Sequence, residues 1–337
     1  MPARLAGLLR KRLVHPPLTP SPWTHFASGR LGVRGNRGIQ NMTHAALTSR
    51  ILDVDRGSLI GPIRALHDKD GWLADLRVDQ SDPFFFDHPL DHVPGMLLVC
   101  AMADLVVAVT DIPAAGRVGA AMTFHSMVEL GPELELCIVP FEDGRRTLRA
   151  VQGSTPVADG WVEVSSADLP AWPHRPEGSA HPPAQASLVH RVRPENVMIG
   201  DPSVADGRVT AAVVFPPEGH ALSGRRPGVL RTEAVVEAGR QLSTWLTHRV
   251  GGWSLDTQIL LRGLAVDLPV GIPRSLPLAL RWQTVPISAG RTEYRFDLIA
   301  SGDGDADEGP VVGSLIYTGK IMRPEVYARF RANRSAG

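Results

Sequence analysis

Residues 95–109 constrain the fold most, because they form a long apolar run in which Asp104 is the only charged residue. A helix that is apolar on every side has to be buried on every side. Segments with the composition of strands follow it, at residues 134–141, 147–151 and 160–164. This order predicts an α+β unit in which an antiparallel sheet encloses one central helix.

The same order of elements recurs later in the chain. Residues 207–215 resemble a strand, and residues 230–250 are predicted to form a helix with Thr232 as its capping residue. Further strands are predicted at residues 278–285, 292–299 and 310–321. The predicted fold is therefore α+β, a double hotdog in which two long central helices are each wrapped by an antiparallel sheet within one chain.

A proline-rich stretch separates the two units. Residues 168–187 hold five prolines and no periodic apolar pattern, which is typical of a linker. This predicts one hotdog repeat at residues 46–167 and a second at residues 188–330. Residues 1–45 are basic and rich in proline, so we expect a disordered extension, or a chain that starts naturally at Met42.

The loop before the first helix carries two Asp–His pairs, Asp87-His88 and Asp91-His92, and we call residues 84–94 the Asp–His loop. Its prolines restrict the backbone, and the helix that follows offers N–H groups to an anion. The pattern therefore favours acid–base chemistry, with a solvated loop of incidental histidines as the alternative. No metal site is predicted, because pairing His88 with His92 needs a helix through Pro89.

Composition narrows the function classes further. The formal net charge is zero and 43% of the residues are hydrophobic, which favours neither a nucleic-acid nor a membrane partner. Cys100 and Cys137 are the only cysteines, so a disulfide framework is absent and a cytoplasmic location is expected. Neither a nucleotide-binding glycine motif nor a serine-hydrolase elbow occurs, and no cofactor is predicted. The sequence leaves oligomerisation open.

Three segments carry a resemblance to a known family. Phe86-Asp-His-Pro-Leu-Asp-His-Val-Pro-Gly-Met-Leu-Leu resembles the signature loop of the AfsA family, the A-factor biosynthesis hotdog proteins. Segment 189–201 is similar to the opening segment of that family. Segment 236–242 is similar to a helix of the family, and segment 255–261 to the stretch that follows that helix. The resemblance implies synthesis of γ-butyrolactone signals. In that reaction a β-ketoacyl thioester of acyl carrier protein or CoA is joined to dihydroxyacetone phosphate, a phosphorylated three-carbon acceptor.

The resemblance, together with a looser likeness of the loop to that of hotdog dehydratases, also implies roles for individual residues. Glu237 would be a general base whose pKa is raised in a dry cleft, facing His88 or His92. A solvated Glu237–Arg240 pair on the helix surface is the alternative. The catalytic set is His88, Asp91, His92 and Glu237, and the substrate-binding set is Gly95, Arg240 and Gln241.

Two features depart from the family pattern. The half that carries the Asp–His loop comes first instead of second, and Cys100 and Ala103 stand where the family has Glu and Arg. We therefore expect one surviving site and one vestigial site, the latter pairing His220 with position 100. The alternative functions are a hotdog acyl-thioester hydrolase or dehydratase and a non-catalytic module that binds acyl groups or a carrier protein.

Overall fold

The computed structural model describes residues 58–66, 70–141, 144–167, 172, 181–223, 226, 228–287, 290–301 and 309–335. The predicted extension, residues 1–45, and most of the predicted linker lie outside these ranges. Within the ranges, no helix combines the length and the apolar content that a membrane-spanning helix requires.

The described residues form one antiparallel sheet of twelve strands and three α-helices. The strands are β1 Arg64–Leu66, β2 Gly71–Asp75, β3 Gly116–Phe124, β4 Leu134–Pro140, β5 Arg146–Gln152, β6 Thr155–Ser165, β7 Ser203–Ala205, β8 Arg208–Ala212, β9 Gln258–Val270, β10 Leu278–Gln283, β11 Gly290–Ala300 and β12 Val311–Met322. The helices are α1 Gly95–Val109, α2 Thr232–Arg249 and α3 Pro324–Ser335.

The strand order shows an internal repeat. The order β1-β2-β4-β5-β6-β3 in the first half matches β7-β8-β10-β11-β12-β9 in the second, and antiparallel pairing of β3 with β9 joins the halves. Hydrogen bonds repeat as well: the Leu59 N–H donates to Asp104 on α1 (3.1 Å), and the Met198 N–H donates to Gln241 on α2 (2.8 Å). Since Asp104 and Gln241 are both the tenth residue of their helix, the halves are built alike.

Each half encloses one helix, as predicted. Helix α1 begins at Gly95 and ends at Val109, packs on β4, and has most of its side chains buried. Helix α2 packs on β9, β10 and β12 and also contacts α1. The fold is therefore a double hotdog. The predicted cap differs, because Arg231 precedes α2 and the Thr232 hydroxyl bonds to Glu233 instead of capping the helix.

Two segments differ from the sequence predictions. Residues 181–187, predicted as the end of the linker, are ordered: Ala184 is only 4% exposed and its N–H donates to the Ile199 carbonyl at 3.0 Å. A short 3₁₀ helix, Ala186–Val189, then packs on α2. The C-terminal helix α3, which no sequence pattern predicted, extends past residue 330.

Candidate functional site

A pocket of about 200 Å³ lies where the two halves meet. The Asp–His loop, the start of α1, the segment after β3, strand β9 and helices α2 and α3 all contribute to its wall. Its ionisable lining consists of His88, His92, His190, Arg191, Arg240 and Arg262. Its apolar lining includes Leu90, Met96, Leu98, Phe124, Met127, Ile259, Leu261 and Phe330. The pocket therefore suits a ligand with an apolar chain and an anionic group.

Behind this wall, the buried Glu237 of α2 forms an ion cluster with two arginines. Its Oε1 accepts hydrogen bonds from Arg191 Nη2, Arg240 Nη2 and Gln241 Nε2, each at 2.7 Å, and its Oε2 accepts one from Arg240 Nε at 2.8 Å. The Glu237 side chain is 0% exposed, whereas that of Arg240 is 23% exposed and reaches the pocket. Glu237 thus fixes two cations at the wall of the pocket.

The expected raised pKa of Glu237 is wrong. Burial alone would raise the pKa of this carboxyl, but the positive charges and hydrogen bonds of Arg191 and Arg240 outweigh it and lower the pKa to about 2. The carboxylate bonds to two guanidinium groups and an amide, not to a loop histidine. Such a group is a weak proton acceptor near neutral pH.

Arg191, to which sequence reasoning gave no role, ties the Asp–His loop to the second half. Its Nη1 donates to the Phe84 carbonyl at 2.6 Å, and its guanidinium lies 4.4 Å from the centroid of the Phe84 ring. Asp87 completes the attachment by accepting the N–H groups of Val192 (2.8 Å) and Arg193 (3.1 Å). Arg191 stands inside the 189–201 motif, but only the tertiary structure brings it to Glu237 and Phe84.

His92 and Asp91 form a hydrogen-bonded pair at the pocket. His92 Nδ1 lies 2.7 Å from Asp91 Oδ1, and because an ionised carboxylate can only accept, Nδ1 carries the proton. Burial would raise the pKa of Asp91, but hydrogen bonds from His92 and Tyr327 and the charge of Arg331 lower it. The carboxylate therefore stays ionised, and in the neutral form of His92 the other ring nitrogen, Nε2, is the acceptor.

The second loop histidine, His88, is held neutral. It lines the pocket, and burial together with the charge of Arg191 lowers its pKa. A neutral imidazole offers one N–H donor and one acceptor nitrogen. His88 and His92 both line the pocket, and their charged neighbours include Arg191 and Asp91.

A histidine pair that the sequence did not indicate connects the pocket to α2, because His190 lines the pocket and its partner His248 lies on α2. His190 Nε2 lies 2.8 Å from His248 Nε2, while His248 Nδ1 lies 3.1 Å from the Trp253 carbonyl. Because the Trp253 carbonyl only accepts, it favours the His248 proton on Nδ1, and the two Nε2 atoms form one hydrogen bond with each other. Burial, with His248 and Arg240 nearby, lowers the pKa of His190 to about 3. Its φ of 54° places it in the left-handed region.

His220, expected to pair with position 100, has other partners in the structure. His220 Nε2 bonds to Asn196 Oδ1 at 3.0 Å and its ring packs on Phe84, on the side of Arg191 and Glu237. Cys100 is buried instead near a second ion cluster. There Arg231 bonds to Asp104 and Glu233, and Asp104 also accepts a hydrogen bond from Ser58. Burial and the charge of Glu233 raise the pKa of the Cys100 thiol.

Gly95 stands where α1 meets the pocket. A Cβ at this position would lie 3.3 Å from Leu261 Cδ2, so glycine allows β9 to approach the start of the helix. The first N–H groups of a helix have no partner within it, and those of Gly95 and Met96 stand before the first bonds, made by Leu97 and Leu98 to the Pro94 carbonyl.

Across the described ranges, no group of three His, Cys, Asp or Glu residues is arranged to hold a metal ion.

Comparisons with known proteins agree with this architecture. The family described as the A-factor biosynthesis hotdog domain matches residues 59–122 and 174–303. Over 81 residues the chain is 36% identical to the 2-oxo-3-(phosphooxy)propyl 3-oxoalkanoate synthase of Streptomyces virginiae. That match spans 24% of this chain and 25% of the synthase, so about a quarter of the relative is covered.

Among solved structures, the dehydratase domain from the CurJ module of the Curacin polyketide synthase superposes with a TM-score of 0.58 and 11% identity, covering 80% of this chain and 98% of that domain. The dehydratase domain of a mycocerosic acid synthase-like polyketide synthase gives a TM-score of 0.54 and 18% identity, with 80% and 98% covered. At these identities the likeness shows the hotdog fold and not a shared reaction.

Proposed function

The chain belongs to the A-factor biosynthesis hotdog domain family, and from this premise we propose that it is an acyltransferase. It moves a β-ketoacyl group from a thioester of acyl carrier protein or CoA to a hydroxyl of dihydroxyacetone phosphate or a similar acceptor. One observation carries the proposal: a single pocket combines apolar walls, two fixed guanidinium groups and the Asp91–His92 pair.

Arg240 and Arg191 provide the anion site in this proposal. A guanidinium presents several N–H donors in a plane and binds phosphate well. Both guanidinium groups bond to Glu237, and both line the pocket. Glu237 therefore acts as a positioning residue, with Gln241 fixing it from the side at 2.7 Å. The apolar lining accommodates the acyl chain.

The Asp91–His92 pair provides the base. His92 Nε2 takes the proton of the acceptor hydroxyl, whose oxygen attacks the thioester carbonyl carbon. The new ester C–O bond forms, the C–S bond breaks, and His92 returns the proton to the leaving thiolate. Neutral His88 and the N–H groups at Gly95 and Met96 are placed to donate to the carbonyl oxygen as it gains negative charge.

Thioester hydrolysis is the second candidate, because the same pair could activate water. The Asp91 side chain is 49% exposed, so solvent reaches this side of the site. In that reaction water replaces the acceptor hydroxyl and the product is a free β-keto acid.

The test is product analysis by mass spectrometry. Purified protein is mixed with a β-ketoacyl carrier-protein thioester, with and without dihydroxyacetone phosphate. We expect a β-ketoacyl phosphate ester that is lost in His92→Gln. The matched control is His125→Gln, which removes another histidine bonded to a carboxylate (Asp159, 2.9 Å) outside the pocket.

Each other result redirects the proposal. Free acid as the sole product would replace the transferase with the hydrolase. Thioester that stays bound without turnover would identify a binding module instead. Ester formation that His92→Gln leaves intact would keep the reaction but remove His92 as its base.

A further inference from the structure

Helix α3 forms part of the pocket although it lies at the far end of the sequence. Phe330 of α3 lines the pocket, and Tyr327 and Arg331, on the same face of the helix, bond to Asp91. Most other described side chains of α3 are exposed. The helix is thus attached to the body through the residues that surround the site.

The contacts with Asp91 are specific. The Tyr327 hydroxyl donates to Asp91 Oδ1 at 2.8 Å, and Arg331 Nε lies 3.0 Å from Asp91 Oδ2. Arg331 Nη2 also donates to the Asp91 backbone carbonyl at 3.1 Å. With His92 on Oδ1, both carboxylate oxygens are held, so rotation of Asp91 about its terminal bond is blocked. Burial and nearby Asp91 raise the pKa of Tyr327, so the phenol remains a donor.

Arg331 also spans two loops at the pocket. Its Nη1 and Nη2 bond to the two carboxylate oxygens of Glu129 at 2.8 and 2.9 Å. Glu129 forms a β-bridge with His92, and the neighbouring Val93 N–H donates to the Val128 carbonyl at 2.9 Å. One guanidinium therefore connects the Asp–His loop to the segment after β3, and both segments line the pocket.

We propose that α3 is a functional part of the site: Tyr327 and Arg331 are positioning residues for the Asp91–His92 pair, and Phe330 determines which acyl chains fit. The positioning role rests on the proposed function, whereas the wall formed by Phe330 concerns binding alone. Neither Tyr327 nor Arg331 lines the pocket, so they act through Asp91 and not on the substrate.

The positioning role is tested with Arg331→Gln and Tyr327→Phe. The control is Arg329→Gln, which removes the same charge from the same helix, where Arg329 Nε bonds to the Glu325 carbonyl of its own helix. We expect Arg331→Gln to lower kcat roughly tenfold or more with little change in KM. This loss would be part of the ~100- to 10,000-fold rate acceleration that a positioned general base contributes. Arg329→Gln should leave both constants unchanged.

A spectroscopic measurement separates positioning from activity. With ¹⁵N-labelled histidine, the ring signals of His92, assigned by comparison with His92→Gln, should change in Arg331→Gln and Tyr327→Phe but not in Arg329→Gln. Unchanged His92 signals would overturn the positioning role even if activity falls. If the wild type forms no ester while these signals still respond, the transferase fails and the control of His92 by α3 stands.

The role of Phe330 is tested by binding. Phe330→Ala should shift affinity toward longer chains, and Phe330→Trp toward shorter ones, in a series of β-ketoacyl-CoA thioesters titrated without acceptor. Val326→Ala is the control, because Val326 lies on the exposed side of α3. A chain-length preference identical in wild type and both Phe330 variants would overturn the specificity role.

Discussion

At the scale of single residues, the charge on Glu237 determines how the polar part of the pocket is held. A buried carboxylate is costly by itself, but four hydrogen bonds from charged or amide donors stabilise this one. Removing the charge leaves two guanidinium groups, one of them almost wholly buried, without their counter-ion.

We expect Glu237→Gln, which keeps the shape but removes the charge, to lower the free energy of unfolding by roughly 3 to 5 kcal/mol. Urea denaturation followed by circular dichroism measures the change. The control is Glu163→Gln, whose pair with Arg145 is largely exposed and should contribute at most ~1 kcal/mol. Similar losses in the two variants would contradict a buried ionic role for Glu237.

The pKa of Glu237 gives this stabilisation a defined pH range. Since the folded pKa is about 2 and the ordinary value is 4.5, the unfolded chain takes up the proton first as the pH falls. The stabilisation is therefore complete above about pH 6 and is lost as the pH falls through about 4.5 toward 2, by roughly 3 kcal/mol in all. The stability difference between wild type and Glu237→Gln, measured by denaturation at each pH, should shrink over that range. A difference that stays constant in acid would contradict the lowered pKa.

At the scale of elements, α2 depends on a close approach to β12. The Tyr317 hydroxyl of β12 donates a hydrogen bond to the Val236 carbonyl at 2.6 Å. A Cβ at Gly239 would lie 2.7 Å from the hydroxyl oxygen of Tyr317. A bulkier residue at position 239 would have to displace the tyrosine and break its hydrogen bond.

We expect Gly239→Ala to destabilise the protein by roughly 2 kcal/mol. Alanine favours a helix by ~1 kcal/mol, but overpacking costs ~1 to 3 kcal/mol and a lost buried hydrogen bond ~1 to 3 kcal/mol. In a Tyr317→Phe background the hydroxyl and its hydrogen bond are gone, so the same substitution should cost less, although the ring carbon Cε2, 2.8 Å from the added Cβ, still has to move. Thermal and urea denaturation of the wild type, the two single variants and the double variant measure the two costs. Equal costs in both backgrounds would contradict the role of the hydroxyl.

The elements that the sequence predicted are those with a strong local pattern. Helix α1 is confirmed at both ends because its apolar run lies between Pro94 and Thr110. Helix α3 was missed because its few apolar residues form no clear helical stripe, and contacts with Asp91, more than 230 positions away, hold it in place. Residues 181–187 were misread because proline content does not reveal that Ala184 pairs with Ile199.

The candidate site, like the fold, could be predicted only where the sequence carries a local pattern. The Asp–His loop and Glu237 stand in recognisable motifs, and the resemblance to the family indicated both. The partners that set their chemistry come from elsewhere in the chain: Arg191 for Glu237, and Tyr327 with Arg331 for Asp91. A sequence motif thus indicated the candidate side chains, whereas the contacts that shift their pKa values come from distant segments of the chain.

At the scale of the whole molecule, the two helices carry unequal sites. On α2, Glu237 holds cations at the wall of the pocket, whereas on α1 the equivalent region contains Cys100 beside the Arg231–Asp104–Glu233 cluster. On the α1 side, the Arg231 guanidinium is therefore already paired with the carboxylates of Asp104 and Glu233.

We expect one acyl ligand per chain, measured by calorimetric titration with β-ketoacyl-CoA in the absence of acceptor. Restoring the family residues by Cys100→Glu and Ala103→Arg should not add a second site. The new carboxylate would lie near Glu233 and Asp104, and we expect a loss of roughly 2 kcal/mol or more in the free energy of unfolding. Two ligands per chain, in the wild type or in the restored variant, would contradict this asymmetry.

The joining of both halves by β3 and β9 within one chain also changes what a mutation can do. In a symmetric homodimer, every substitution appears twice, so a change that improves one site alters its twin in the same way. Here each position exists once. A change on α1 can therefore leave α2 unaltered, which is why Cys100 can stand on one helix at the position that Glu237 occupies on the other.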